Sequence, residues 1–231
     1  MPSVLVTGAG RGFGRELGRV FLERGWTVFP LVRAPEDMAP WAEADRCFPL
    51  CADVGAADAE DAIGRALEAR TSALDLLVNN AGQIHKRRWL SETVAEDTEE
   101  LFRVHCVGAF RCTRAALPFL RRAEKPTVVN ITSRFGSITQ AVGGQFRGIY
   151  SYSIAKCAQN MLTVCLDQEL RKEGIRVFAV HPGRLRTAAA AVDANTEPGV
   201  AAAKLSEWVE SVGRNAECGL HDLMVGGVIP W

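Results

Sequence analysis

The stretch Ser3-Val4-Leu5-Val6-Thr7, followed at once by Gly8-Ala9-Gly10-Arg11-Gly12-Phe13-Gly14, leaves this chain few folds to choose from. An apolar run that ends on closely spaced glycines reads as a buried strand entering a tight turn. Residues 13–24 then place Leu17, Val20 and Phe21 on one helical face, and Gly25 stops the helix. Strand, glycine turn and amphipathic helix in that order open a βαβ unit. Glycines at such a turn let the backbone close on a pyrophosphate, whose charge then sits at the helix N-terminus. A tight turn that holds nothing is the plain alternative, and the flanking strand and helix weigh against it.

The alternation continues along the chain. Strands are expected over 27–32, 46–50, 74–78, 127–132 and 176–180, and helices over 57–69, 96–121 and 150–172. One short helix is expected around Met38-Trp41, inside a connection that carries Pro35 and Pro40. Strands alternating with helices of this length imply an α/β fold, a doubly wound parallel sheet with helices on both faces. No repeat or linker divides the 231 residues, so a single domain over 1–231 is expected.

Composition excludes several classes. Hydrophobic residues make up 48% of the chain, too many for general disorder. Lys+Arg and Asp+Glu stand at 27 each, so no net field marks a nucleic acid or an anionic membrane as partner. No apolar run approaches the ~20 residues of a membrane span, and the N-terminus shows no basic region or cleavage site. A soluble, cytoplasmic protein is expected. The seven cysteines are scattered and odd in number. Cys47 and Cys51 are the closest pair, with no Cys-x-x-Cys and no nearby histidine, so they read as reduced thiols and no metal site is expected.

Further along, Tyr152-Ser153-Ile154-Ala155-Lys156 sets a phenol and an ammonium one helical turn apart on the same face. A free tyrosine titrates near ~10, and a neighbouring cation favours the phenolate and draws that value toward the working range. Alone, such a pair arises by chance on many helices. Two arginines bear on the nucleotide. Arg11 lies inside the glycine turn, and Arg33 follows the second strand, where an acid would hold an unmodified ribose hydroxyl. No Asp or Glu occupies Leu31-Val32-Arg33-Ala34, and a cation there suits a 2′-phosphate, so NADP(H) is favoured over NAD(H). Solvated surface arginines are the bland alternative.

With these stretches in order, the chain resembles the short-chain dehydrogenase/reductase family, in its short single-domain form. Thr7-Gly8-x-x-x-Gly12-x-Gly14 resembles the family's cofactor turn, and Asp53-Val54 the pair that contacts adenine. Asn79-Asn80-Ala81-Gly82 resembles its structural signature, Asn130-Ile131-Thr132-Ser133 the strand bearing the catalytic serine, and Tyr152-x-x-x-Lys156 the catalytic helix. Pro182-Gly183-Arg184-Leu185-Arg186-Thr187 resembles the loop that holds the nicotinamide. The resemblance implies a Rossmann-type sheet of about seven strands. It implies a cofactor site built from Gly8, Arg11, Gly12, Phe13, Gly14, Arg33, Asp53, Val54, Asn80, Ala81, Gly82, Pro182, Gly183, Leu185 and Thr187, together with Tyr152 and Lys156. Tyr152 would pass the proton, Lys156 would lower its pKa and bind the nicotinamide ribose, and Ser133 would donate to the substrate oxygen.

Two departures stand out. Where the family carries an asparagine three residues before a glycine, this chain has His105 before Gly108. That asparagine holds a water in a proton relay. A histidine donates, accepts and titrates near neutrality, so His105 is expected to serve a relay of its own, against packing as a core residue with the relay lost. Ser133 and Tyr152 are also 19 positions apart (152 − 133), against about a dozen in the family. The surplus falls in 139–148, where Gly143, Gly144 and Gly148 imply a mobile or sharply turned loop beside the substrate pocket. Tyr150 is a rival phenol, but its fourth neighbour is Ile154.

Elsewhere the signals are weaker. His85-Lys86-Arg87-Arg88 reads as a solvated basic loop, Leu205, Trp208, Val209 and Val212 as a core stripe, and residues 223–231 as the family's last strand and tail. Monomer, homodimer and homotetramer are all compatible with this sequence. The expectation is an NADP(H)-dependent oxidoreductase that interconverts a small-molecule carbonyl and a secondary alcohol. Its rivals are a catalytically weak NADP-binding scaffold or redox-sensing regulator, and reduction of an activated ring or imine.

Overall fold

The computed structural model describes residues 1–85, 87–147, 149–187, 194–211 and 216–231. Its strands are β1 (Ser3–Thr7), β2 (Thr27–Val32), β3 (Leu50–Cys51), β4 (Leu76–Asn79), β5 (Thr127–Ile131), β6 (Arg176–His181), β7 (Leu220–Asp222) and β8 (Val228–Ile229). They form one sheet in the order β3-β2-β1-β4-β5-β6-β7-β8. Every pairing is parallel except β7 with β8. The helices are α1 (Gly12–Glu23), α2 (Ala59–Glu68), α3 (Ala95–Phe102), α4 (Gly108–Leu120), α5 (Ile138–Val142), α6 (Tyr150–Leu170) and α7 (Pro198–Ser211).

The strands are apolar throughout because both faces of the sheet are covered. Val4, Val6, Val78, Val129 and Val180 point to one side, where they pack with Leu17 and Phe21 of α1 and Ala201 and Leu205 of α7. Leu5, Leu77, Val128 and Val177, an odd number of positions away on the same strands, point to the other, against Ile63 of α2, Ala116 and Leu120 of α4 and Leu170 of α6. Period-2 alternation therefore splits one hydrophobic run between two cores. Trp208 and Val209 of the expected stripe pack at the edge of the first core, and Val212 lies outside the described residues.

β1 pairs with β2 on one side and with β4 on the other. The winding reverses there, and a crevice opens beyond the carboxyl ends of β1 and β4, where ligands bind in sheets of this kind.

The structure corrects several expectations. The strand expected over 46–50 is cut short: Arg46 stands at φ 63, in the left-handed region, so Cys47 makes only a bridge to Val28 and the ladder resumes at Leu50. The long helix is interrupted by a π turn over Arg103–Val107, between α3 and α4. The helix expected near Met38 is a 3-10 segment, Pro35–Trp41, and the expected sheet of about seven strands has eight. In the tail, Asp222 Oδ1 accepts from the N–H groups of Met224 and Val225, and the turn sends Val228–Ile229 back as an antiparallel edge. Among the described residues, no helix is long and apolar enough to cross a membrane.

Candidate active site

Thr7, the last residue of β1, organises the crevice. Its Oγ1 accepts from the N–H groups of both Asn80 and Ala81 at 2.9 Å, and its carbonyl accepts from Asn80 Nδ2 at 2.9 Å. The segment after β4 is thereby held against the glycine turn. Gly14 has no room for a side chain, since a Cβ there would stand 2.3 Å from Gly8 O and 2.4 Å from Asn80 Nδ2. Gly8 lies at φ +67 with Ala81 Cα 2.7 Å from where its Cβ would be, and Gly12 lies at φ +57 facing Thr187. Gly8, Gly12, Gly14, Asn80, Ala81 and Thr187 thus come together at one end of the sheet.

The start of α1 is open. Arg11 precedes it in extended conformation, no side chain caps it, and its first turn holds no acid. Free N–H groups at a helix start attract an anion. Arg11 and Arg33 are exposed, and among the described residues neither has an ion-pair partner. An uncapped helix start, a cradle that a Cβ would fill and two unpaired guanidinium groups fit a dinucleotide phosphate. Phe13 turns its ring into the core, leaving only its backbone for that role. Asp37 is the acid that sequence reading missed. It reaches the turn from the 3-10 segment, its Oδ2 2.8 Å from where a Cβ of Gly10 would sit.

Asp53 spends one carboxylate oxygen on the N–H of Gly55 at 2.9 Å, and Val54 is buried against Gly108 of α4. Pro182 is buried, Leu185 bridges to Thr196 and packs on the core, and Gly183 stands at φ +92 with Met224 filling the space a Cβ would need.

Ser133 is buried just after β5, where its Oγ accepts from Phe135 N at 3.2 Å. Tyr152, in the first turn of α6, packs its ring edge-on to His105 at 5.7 Å and to Phe135 at 6.2 Å. Tyr150 is 42% exposed and outside this group. The Lys156 ammonium lies 5.7 Å from the Tyr152 ring centre and donates to Ile131 O at 2.7 Å and Gln159 Oε1 at 2.8 Å. Burial pushes the Lys156 pKa down to about 7. Tyr152 is pushed up to about 12 by the atoms packed round it, although part of its surface stays open, and Ser133 draws it the other way. This corrects the expected lowering by the lysine: desolvation outweighs the neighbouring charge, and two of the ammonium's three protons are committed elsewhere.

His105 lies in the π turn, a helical irregularity that gathers at functional sites. Its Nε2 lies 2.7 Å from Gln83 O, to which it donates when it carries the proton, and 3.3 Å from Gln83 N, from which it accepts in the other tautomer. Nδ1 is buried without a partner among the described residues. A Cβ on Gly82 would stand 2.4 Å from the ring, which accounts for the glycine. Burial, then the charge of Lys156, holds the His105 pKa well below the ordinary value. The expectation that His105 titrates near neutrality is therefore corrected.

The surplus between Ser133 and Tyr152 is partly helical. Ser137 Oγ caps α5 by accepting from Gln140 N at 3.1 Å, and Gly144 turns the chain at φ +73. Phe146 then packs tilted against Phe135, with ring centres 4.6 Å apart. Gly148 lies outside the described residues. Ile149 enters α6 at φ 60, strained for a β-branched residue, with its N–H on Arg88 O at 2.7 Å. In the basic loop, His85 Nε2 meets Glu100 Oε2 at 2.9 Å and Arg87 meets Asp97 at 2.7 Å, while Arg88 is exposed. Lys86 lies outside the described residues.

The short chain dehydrogenase family model matches residues 2–198. The chain belongs to the short-chain dehydrogenase family. It is 32% identical over 189 residues to L-fucose dehydrogenase of Bos taurus, a match that covers 80% of this chain and 66% of that protein. Among solved structures, a carbonyl reductase from Pseudomonas aeruginosa PAO1 matches with a TM-score of 0.83 at 27% identity, over 100% of both chains. An active-site complex of Pseudomonas aeruginosa RhlG with NADP matches with a TM-score of 0.83 at 26% identity, over 96% of this chain and 94% of that one. This short-chain dehydrogenase is thus an oxidoreductase by family, on a Rossmann-type fold.

Proposed function

We propose that this short-chain dehydrogenase is an NADP(H)-dependent oxidoreductase that interconverts a carbonyl and a secondary alcohol. The observation that carries the reading is the convergence of Ser133, Tyr152 and Lys156 beside a glycine cradle flanked by the unpaired Arg11 and Arg33. The NADP-bound relative and the carbonyl reductase relative support it. The uncapped start of α1 and the glycine turn would hold the pyrophosphate, and Arg11 and Arg33 the 2′-phosphate. The nicotinamide, when bound, exchanges hydride with the substrate carbon. Tyr152 Oη gives its proton to the substrate oxygen, or takes it back in the oxidative direction. A phenol kept neutral by burial is loaded for the reductive direction at physiological pH. Ser133 donates a hydrogen bond to the same oxygen as charge develops on it, while Lys156 sets the local field and offers its third proton toward the ribose.

The test is consumption of NADPH, beside NADH, over a panel of aldehydes, ketones, diketones and quinones. Turnover with NADPH preferred is expected, and Tyr152→Phe should lower kcat at least about a hundredfold while leaving the NADPH dissociation constant within about twofold. Intact turnover in Tyr152→Phe would exclude the mechanism. A second reading, a nucleotide-binding scaffold with little catalysis, is favoured by the anchoring of His105 to Gln83. It predicts NADPH binding with silence across the panel.

A further inference from the structure

Lys156 is 4% exposed, and its two hydrogen-bond partners are both uncharged: the Ile131 carbonyl and the Gln159 amide. Among the described residues no carboxylate pairs with it. The titratable groups near it are two histidines and a tyrosine, and both Asp222 and Arg134 act on the second histidine, His181. His105 from the π turn and His181 from β6 both feel its charge, Arg134 lies near His181, and Tyr152 sits on its own helix. A desolvated ammonium in such surroundings depends on whatever acceptors reach it.

Gln159 is placed with care. It is 1% exposed, one turn along α6, and its own carbonyl accepts from Thr163 Oγ1 at 2.9 Å. Thr163 Oγ1 in turn accepts from Asn130 Nδ2 at 2.9 Å, and Asn130 Oδ1 accepts from Asn79 Nδ2 at 2.8 Å. A line of buried amides and hydroxyls thus runs from β4 through β5 to the main-chain carbonyl of Gln159 on α6, and the side chain of the same residue reaches the ammonium.

We propose that Gln159 is a positioning residue for Lys156: its amide oxygen keeps the buried lysine charged and, with Ile131 O, directs two of its protons inward so that one remains for a ligand. This rests on the functional reading above, because the ligand is the dinucleotide. A neutral acceptor, unlike a carboxylate, stabilises the ammonium without cancelling its charge in the crevice. Between pH 6 and 10 Lys156 is then the crevice group that changes charge, since Tyr152 titrates above that window and His105 and His181 below it.

The test is NADPH affinity by fluorescence titration from pH 6 to 10, on the whole chain and on Gln159→Leu and Gln159→Glu, with melting temperatures alongside. In the unmodified protein affinity should weaken as Lys156 loses its proton. The midpoint should fall by about one pH unit in Gln159→Leu, which removes an acceptor from a charged donor, and rise by about as much in Gln159→Glu. The same displacement is expected in the basic limb of kcat/KM. NADPH binding with one unmoved midpoint in all three proteins, and only the melting temperature changed, would overturn the inference and leave the functional reading intact. Absence of NADPH binding to the unmodified chain would overturn both.

Discussion

At the scale of single residues, the proposed dinucleotide end of the crevice holds charges of both signs. Arg33 was read from the sequence because it follows a strand directly. Asp37 was not, because it lies beyond Pro35 and reaches the turn only when the 3-10 segment folds over Gly10. Opposite charges at one anion site should act in opposite directions. Arg33→Ala is expected to weaken NADPH binding about tenfold and leave NADH within about twofold. Asp37→Asn should tighten NADPH about threefold, the screened value for a partly exposed charge. Equilibrium fluorescence titration of both nucleotides measures each effect. Equal changes for NADPH and NADH would place the 2′-phosphate elsewhere.

At the scale of elements, the glycine turn is rigid for a backbone reason. Gly14 sits where helix α1 passes the Gly8 carbonyl and the Asn80 amide, so any side chain must displace main chain rather than a flexible neighbour. Gly14→Ala should cost about 2–4 kcal/mol in urea unfolding and abolish NADPH binding. A cost under about 0.5 kcal/mol would show that the turn relaxes. The π turn of Arg103–Val107 is the contrasting case. Its residues look helical in sequence, and nothing in their periodicity announces the extra residue per turn. The insertion became visible only where His105 swings to Gln83 and Gly82 leaves room for its ring.

For the molecule as a whole, buried bases set the response to pH. His181 is 8% exposed, its Nδ1 has no partner among the described residues, and burial above all pushes its pKa down to about 4; His105 is lowered in the same direction. In the unfolded chain both titrate near ~6.5. Below that value the unfolded state takes up protons that the folded state refuses, so stability should fall as pH drops from about 6.5 to about 4. The His181 share is on the order of 3 kcal/mol by this linkage. Lys156, lowered to about 7, works in a higher window: its burial penalty is full below about 7 and is relieved as pH rises toward ~10.4. Urea midpoints measured from pH 4 to 9 should therefore climb steeply up to about 6.5 and more gently above 7. A flat profile between 4 and 6.5 would mean that the two histidines are solvated.

The order of strands and helices, the glycine cradle and the Tyr152–Lys156 pair were legible in the sequence because each depends on residues within one or two turns of each other. Periodicity, glycine spacing and a four-residue helical step are local quantities. The partners of Lys156, the charge state of His105, the phenol's upward shift and the carboxylate over Gly10 depend on burial and on residues brought together across the sheet. Ile131 meets Lys156 over 25 positions and Asn79 meets Asn130 over 51. Sequence by itself determined which chemistry-bearing side chains stand on which element. Tertiary structure alone decided their protonation, because desolvation depends on the packing of distant chain segments that no local pattern encodes.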